Sequence, residues 1–351
     1  MKGKEIKKIL AMRFSAMGDV AMTVPVLTEL ARQNPELRIT MVTRKKFLPL
    51  FEWVPSNIEV KGIELSDYKG VIGLERLFSI LRGSQDFDAV ADLHDVLRTK
   101  YLHSRFRLTK ARVAVIDKGR SQKHAFLGHG SDHSPLRPMF ERYADVFRSL
   151  GLNLTLHYDR PLFDLRGEKY LPIWQFAGKK ATADRWIGIA PFAAHPTKTY
   201  PLEQMKQVVD GCRERGYHVF LFGAGAEEAA ILQSWEETGV QSVCGRLGGL
   251  RGELLLMSKL NLMVCMDSAN MHMAAMLGVP TLSIWGATHP DAGFMAWNTT
   301  PADIIEADGL TCRPCSIYGS KPCKLGDHRC MRQISPLTIL DRIDKKLGSI
   351  D

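Results

Sequence analysis

The sequence predicts an α/β protein of two doubly wound, parallel-sheet domains. Short β-rich runs alternate with amphipathic helical stretches at the spacing of strand–helix–strand units. The alternation comes in two blocks, separated by the irregular stretch Leu152–Ala183 with Pro161, Pro172 and the polar run Gly178–Asp184. A length of 351 residues also suits two domains at roughly 150 residues each. The boundary is placed at residue 165, giving domains 1–165 and 166–351.

In the first block the strand runs are Lys8–Phe14, Arg38–Thr43, Ile58–Val60, Ala89–Asp92 and Arg112–Ile116. Helical patterns follow over Asp19–Gln33, Lys45–Glu52, Leu74–Leu81 and Leu97–Leu108. In the second block the strands are Trp186–Ala190, His218–Phe222, Leu262–Cys265 and Thr281–Trp285. Helices over Leu202–Arg215, Ala226–Glu237 and Ser268–Leu277 connect them. Ligands of such sheets bind beyond the carboxyl ends of the strands, so a cleft between two facing domains is the expected site.

Composition narrows the function. A hydrophobic share of 45% and a charged share of 24% are ordinary globular usage and exclude a disordered or fibrous chain. Lys+Arg 47 against Asp+Glu 38 leaves +9, which suits an anionic partner. Seven cysteines, an odd number, argue for a reducing compartment. The N-terminus has a basic start and then apolar residues. Arg13 and Asp19 interrupt the apolar part, so it reads as a first strand and helix rather than a signal peptide. No uncharged apolar run reaches the ~18 residues needed to span a bilayer. A cytoplasmic protein is expected, with peripheral contact at the inner face of the cytoplasmic membrane compatible with its charge.

Several motifs carry chemistry. In Arg13-Phe14-Ser15-Ala16-Met17-Gly18-Asp19-Val20 a strand ends, Gly18 permits a tight turn, and a helix starts near Asp19. Asp19 is there as a helix cap or as a general base. In Asp267-Ser268-Ala269-Asn270-Met271-His272 a helix begins with small and polar residues, suited to a phosphate at its N-terminus, and His272 lies one turn in on the face of Ser268. Thr197 and Lys198 lie in a loop before Pro201, where a lysine can meet a phosphate or simply be solvated. Gly223-Ala224-Gly225-Ala226-Glu227-Glu228 is a shortened Gly-rich turn that can bring backbone near a nucleotide and Glu227 or Glu228 near a ribose hydroxyl. Arg44, Lys45, Lys46, Arg98, Lys100, Arg120 and Lys123 make the first half basic; Arg44–Lys46 follows a strand and Arg98–Lys100 begins a helix, so both could face the cleft or form a solvated surface. Little aromatic residue is interleaved with them, which argues against nucleic acid. Cys312, Cys315, Cys323 and Cys330 surround His328. Their spacing fits no standard zinc finger, so reduced structural thiols or opportunistic disulfides are expected and no metal is assigned.

Phe14-Ser15-Ala16-Met17-Gly18-Asp19-Val20 and Asp267-Ser268-Ala269-Asn270-Met271-His272-Met273-Ala274-Ala275 together resemble the heptosyltransferases of bacterial lipopolysaccharide core synthesis, glycosyltransferase family 9. Lys198-Thr199-Tyr200-Pro201 is similar to that family's Lys-x-Trp-Pro, and Gly286-Ala287-Thr288 to its Gly-Pro-Thr. Ala269-Asn270 stands where Gly-Pro is commoner, and none of these departures removes a charged group. The resemblance implies a GT-B fold, two Rossmann-like domains facing across a cleft with the acceptor on the first and the nucleotide sugar on the second. It also implies a last helix, about residues 336–347, that packs back on the first domain. The implied reaction is an inverting transfer of a heptose, from ADP-heptose, to the lipid-linked anionic lipopolysaccharide core, with no obligatory cofactor or metal. Asp19 would be the general base and Lys198 the catalytic cation on the diphosphate. Ser15, Gly18, Thr197, Gly223, Glu227, Asp267, Ser268, Ala269 and His272 would line the donor side, and Arg44, Lys45, Arg98, Lys100, Arg120 and Lys123 the acceptor side. The competing readings are a GT-B-fold nucleotide-sugar epimerase or hydrolase, and a non-catalytic basic binding protein.

Overall fold

Every residue of β1 (Lys8–Met12) after Lys8 is buried. Such an unbroken apolar run belongs to a central parallel strand covered on both faces. In the computed structural model, which describes residues 5–128, 134–159, 162–163, 165 and 170–348, β1 pairs with β2 (Arg38–Arg44) and with β4 (Ala89–Asp92). β3 (Ile58–Ile63) and β5 (Arg112–Val115) complete a five-stranded sheet, ordered β3-β2-β1-β4-β5 and parallel throughout. Helices α1 (Met17–Gln33), α2 (Gly70–Ser84) and α3 (Leu97–Arg107) connect these strands. α1 is buried from Val20 to Ala31, on nearly all sides, as expected of a helix held between a sheet and another helix. The segment over Lys45–Phe51, expected as an α-helix, is a 3-10 helix containing Pro49. Proline lacks an N–H and breaks the α-helical ladder.

The chain divides into two compact units, Met1–Gly119 with Arg137–Arg160, and Arg120–Leu136 with Pro161–Asp351. This differs from one cut at residue 165, because α4 (Arg120–Gly128) joins the second unit while α5 (Met139–Ser149) returns to the first and packs on α1. Pro161, expected in the linker, lies outside the described residues.

The second unit contains α6 (Leu171–Ala177), β6 (Trp186–Ala190), α7 (Leu202–Glu214), β7 (His218–Leu221), α8 (Gly225–Ser234), β8 (Val240–Ser242) and α9 (Leu250–Met257). β9 (Leu262–Met266), α10 (Ala269–Met276), β10 (Thr281–Trp285), β11 (Ile304–Glu306), α11 (Arg329–Arg332) and α12 (Pro336–Gly348) follow. Its sheet is parallel and ordered β11-β10-β9-β6-β7-β8. β6, β9 and β10 are buried along their whole length, and each fully buried aliphatic side chain contributes about 1.5–3 kcal/mol. α12 was expected on the first domain. Its apolar stripe Ile339, Leu340, Ile343 and Leu347 instead joins the second unit's core. Leu340 approaches so near to Gly211 of α7 that a Cβ there would lie 2.5 Å from it. Arg215 and Tyr217 hold Asp344 at 2.9 and 3.0 Å. Among the described residues, no helix is long and apolar enough to cross a membrane.

Candidate active site

In a doubly wound sheet the chain leaves the first strand in one direction and later returns to its other side, which opens a crevice at the carboxyl ends of the two central strands. In the first unit these strands are β1 and β4; in the second they are β6 and β9. Asp19, at the first of these points, and Lys198 and Asp267, at the second, are among the charged residues singled out from the sequence.

After β1 comes Arg13, buried, whose Nη2 lies 2.8 Å from Asp19 Oδ2 and whose Nη1 donates to the Leu93 carbonyl at 2.5 Å. Asp19 Oδ2 also accepts the Ala16 N–H at 3.2 Å. That is the carboxylate half of a capping box; alanine at the N-cap has no side-chain oxygen for the other half. From α5, the Tyr143 hydroxyl donates to Asp19 Oδ1 at 3.4 Å, and its ring lies under Arg13, 5.3 Å from the guanidinium carbon. The Asp19 side chain is 27% exposed, so it is oriented on several sides and still reaches solvent. Gly18 makes no turn. It sits in the first turn of α1 without a positive φ, because the helix starts two residues earlier than expected.

His94, beyond β4, was not anticipated. Its Nδ1 accepts the Phe14 N–H at 3.5 Å and its Nε2 lies 3.2 Å from Ser15 Oγ. Burial first, then the Arg13 charge, depress its pKa to about 4, so the ring is neutral near pH 7. With Nδ1 accepting, Nε2 carries the hydrogen and donates to Ser15. Asp92 anchors this turn, taking the His94 and Asp95 N–H groups at 2.9 Å each and His103 Nδ1 at 2.9 Å. Arg44, Lys45, Arg98 and Lys100 lie on the same edge of the sheet, at the end of β2 and the start of α3. Lys100 lies 3.4 Å from Asp95.

In the second unit, Lys198 follows β6 and Asp267 follows β9. Lys198 Nζ lies 2.8 Å from Asp267 Oδ2, and the Thr288 hydroxyl donates to the same oxygen at 2.8 Å. The Thr197 hydroxyl donates to the Gly319 carbonyl at 2.5 Å. Gly319, at φ +78, leaves room for Lys198, since a Cβ there would lie 2.5 Å from Lys198 Cγ and Cδ. Arg313, buried, holds this region by donating to the Gly286 carbonyl (2.8 Å) and the Thr288 carbonyl (2.9 Å). α10 then starts at Ala269 with Ser268 as its N-cap in an extended conformation and no side-chain cap. Ser268 Oγ is buried and has no hydrogen-bond partner among the described residues. An uncapped helix start with a lysine beside it is a ready anion site. His272 lies buried in the first turn of α10.

The remaining expected residues are dispersed. Gly223 and Glu227 flank the start of α8 after β7; Glu227 is exposed, whereas Glu228 turns back to take the Ala224 N–H at 2.7 Å. Arg120 and Lys123 are on α4, in the second unit. Lys123 is only 5% exposed, with Nζ 4.7 Å from the Phe294 ring, 5.4 Å from the Tyr318 ring and 3.3 Å from the Tyr318 hydroxyl. Its ammonium thus meets both rings and a hydroxyl of its own unit. The seven cysteines are unbonded. Among the described residues, no three His, Cys, Asp or Glu side chains converge closely enough to hold a metal ion.

Comparison with known proteins fits this geometry. Residues 75–321 match the glycosyltransferase family 9 (heptosyltransferase) profile. Lipopolysaccharide heptosyltransferase 1 of Pseudomonas aeruginosa is 25% identical over 339 residues, covering 88% of this chain and 86% of the relative. Lipopolysaccharide heptosyltransferase 3 of Escherichia coli K12 is 23% identical over 304 residues, covering 82% and 84%. Two solved structures share the fold over nearly their whole length. The family 9 glycosyltransferase of Veillonella parvula has a TM-score of 0.72 at 21% identity, covering 98% of both chains. The E. coli ADP-heptose lipopolysaccharide heptosyltransferase II has a TM-score of 0.70 at 20% identity, covering 97% of this chain and 99% of that one. The two parallel α/β units thus have the GT-B architecture, and the chain belongs to glycosyltransferase family 9, the heptosyltransferases.

Proposed function

We propose that this enzyme transfers a heptose from ADP-heptose to the inner core of lipopolysaccharide, with inversion at the anomeric carbon. The observation that carries the reading is the division of charge between the two switch points: an oriented carboxylate on the first, a lysine and an uncapped helix start on the second. Asp19 takes the proton of the acceptor hydroxyl as that oxygen bonds to the anomeric carbon. The bond from that carbon to the diphosphate breaks, and ADP leaves. Lys198 and the first amides of α10 stabilise the charge on the leaving diphosphate. Asp267 and Thr288 act as positioning residues for Lys198. No metal or other cofactor is assigned to these steps. Arg44, Lys45, Arg98 and Lys100 give the acceptor's phosphates and carboxylates a basic edge. The names of the relatives support donor and acceptor alike: they are lipopolysaccharide heptosyltransferases. One solved neighbour, E. coli heptosyltransferase WaaC, holds ADP-2-deoxy-2-fluoro heptose. With a lipid-linked acceptor, the enzyme works at the inner face of the cytoplasmic membrane.

Incubation with ADP-heptose and a heptose-deficient core, followed by product analysis, tests this. One added heptose with inverted anomeric configuration is expected. Free or epimerised sugar with no glycoside would overturn it and favour an epimerase or hydrolase.

A further inference from the structure

The carboxyl edge of the first sheet carries exposed apolar surface as well as charge. α2 and α3 run side by side in the same sense. Glu75 accepts from the Tyr101 hydroxyl at 2.7 Å and from Arg105 at 2.8 Å, and one turn later Phe78 meets Phe106 at 4.9 Å between ring centroids. Their first turns therefore lie together, at the sheet edge that also presents Asp19. On those turns Val71 is 66% exposed, and Ile72 and Leu97 are each 88% exposed. The helix does not need the first two for packing, since Leu77, Phe78 and Leu81 already bury its inner face. Lys69, Arg76, Arg98 and Lys100 lie within about one turn of these residues in the chain, and Lys45 and Lys46 follow the neighbouring strand β2. The acidic residues there are Glu64, Asp67, Glu75 and Asp95. Glu75 is taken up by Tyr101 and Arg105, and Asp95 by Lys100. Lys45 and Arg98 form no ion pair among the described residues.

We propose that this rim docks the enzyme on an anionic bilayer, with Val71, Ile72 and Leu97 entering the headgroup boundary and the neighbouring cations meeting lipid phosphates. Clustered aliphatic tips flanked by lysine and arginine suit an interface that is apolar at depth and anionic at its surface. A protein partner would call for aromatic anchors, and Tyr68 at this rim lies under Arg76, 5.6 Å from the guanidinium carbon. The proposal rests on the proposed function for the lipid-linked acceptor, because docking here brings the Asp19 edge to the membrane.

The test is co-sedimentation of the full chain with phosphatidylcholine vesicles containing roughly a third phosphatidylglycerol. Binding that weakens with salt and is poorer to pure phosphatidylcholine is expected. The triple variant Val71→Ser/Ile72→Ser/Leu97→Ser is expected to partition about tenfold less with unchanged thermal unfolding. Its transfer to bilayer-embedded acceptor should fall, and its transfer to a delipidated, water-soluble core glycan should not. Equal sedimentation of wild type and variant, or no sedimentation of wild type with anionic vesicles, would overturn the docking surface. So would an equal loss of transfer to the soluble glycan. Wild-type vesicle binding lost in the variant, with no transfer to either acceptor, sustains the surface and removes the heptosyltransferase reading instead.

Discussion

Asp19 and Lys198 are each held by a charge of opposite sign and by a hydroxyl, Tyr143 in one case and, through Asp267, Thr288 in the other. The held geometry makes each replacement informative. Lys198→Met strands the carboxylate of Asp267 in a nearly buried site, and breaking one side of such a pair costs about 3 kcal/mol. The expected result is a lower melting temperature together with a nucleotide affinity weakened about tenfold or more, read by calorimetric titration. His94 makes a pH prediction. Its folded pKa of about 4 lies below the ordinary value of 6.5. Between those values the unfolded chain binds the proton and the native one does not, so stability rises with pH. The native state keeps this contribution above about pH 6.5 and loses it as pH falls toward 4, by up to about 3 kcal/mol. His94→Gln should flatten that acid limb in denaturation curves measured across the window; an unchanged slope would remove the assignment. Asp19, Lys198 and Ser268 were legible in the sequence because each sits in a short strand-to-helix motif whose parts are neighbours in the chain. The pairings His94–Ser15, Thr288–Asp267 and Gly319–Thr197 join residues 79, 21 and 122 positions apart. No local pattern announces such pairings, although Asp92-Leu93-His94-Asp95 at the end of a strand was a readable polar cluster.

At the scale of elements, the Tyr318–Gly319 turn shapes the cation site. Gly319 has a positive φ and lies against the Lys198 stem. Gly319→Ala is therefore predicted to cost about 1–2 kcal/mol from φ alone and to displace Lys198. Nucleotide affinity should fall with thermal stability, and a variant with normal affinity would show that the turn does not position the lysine. The central strands were plain in the sequence because burial on both faces leaves an apolar run; Ala89–Asp92, Trp186–Ala190 and Thr281–Trp285 match their expected limits residue for residue. The strands not foreseen are β8 and β11, three residues each at the sheet margins, too short for a pattern. α5 was missed although amphipathic. It follows a proline-containing loop rather than a strand, so strand–helix alternation gave no reason to look there.

Across the whole molecule, the chain's order and its units do not coincide, since Arg120–Leu136 leaves the first half to join the second. There Phe126 packs with Ala292 and Ile317, and Lys123 fills the space between Phe294 and Tyr318. A fragment beginning at residue 161 would expose that apolar surface and is predicted to melt lower than the intact chain and to bind a hydrophobic dye. Addition of a 120–136 peptide should reverse both, and a fragment as stable as the intact chain would contradict the assignment of α4. The charge of +9 takes on a location too: Lys45, Arg98 and their neighbours at the carboxyl edge of the first sheet, which we propose for the acceptor, and Lys198 after β6, which we propose for the nucleotide. The central claim is that Asp19 accepts the proton of the acceptor while the nucleotide is held elsewhere. Asp19→Asn, nearly isosteric, tests it through single-turnover transfer of heptose to core glycan with ADP affinity measured on the same sample. The account predicts a transfer rate lower by about 10²–10⁴ at nearly unchanged affinity; near-normal transfer, or loss of ADP binding in proportion to the loss of rate, would contradict it.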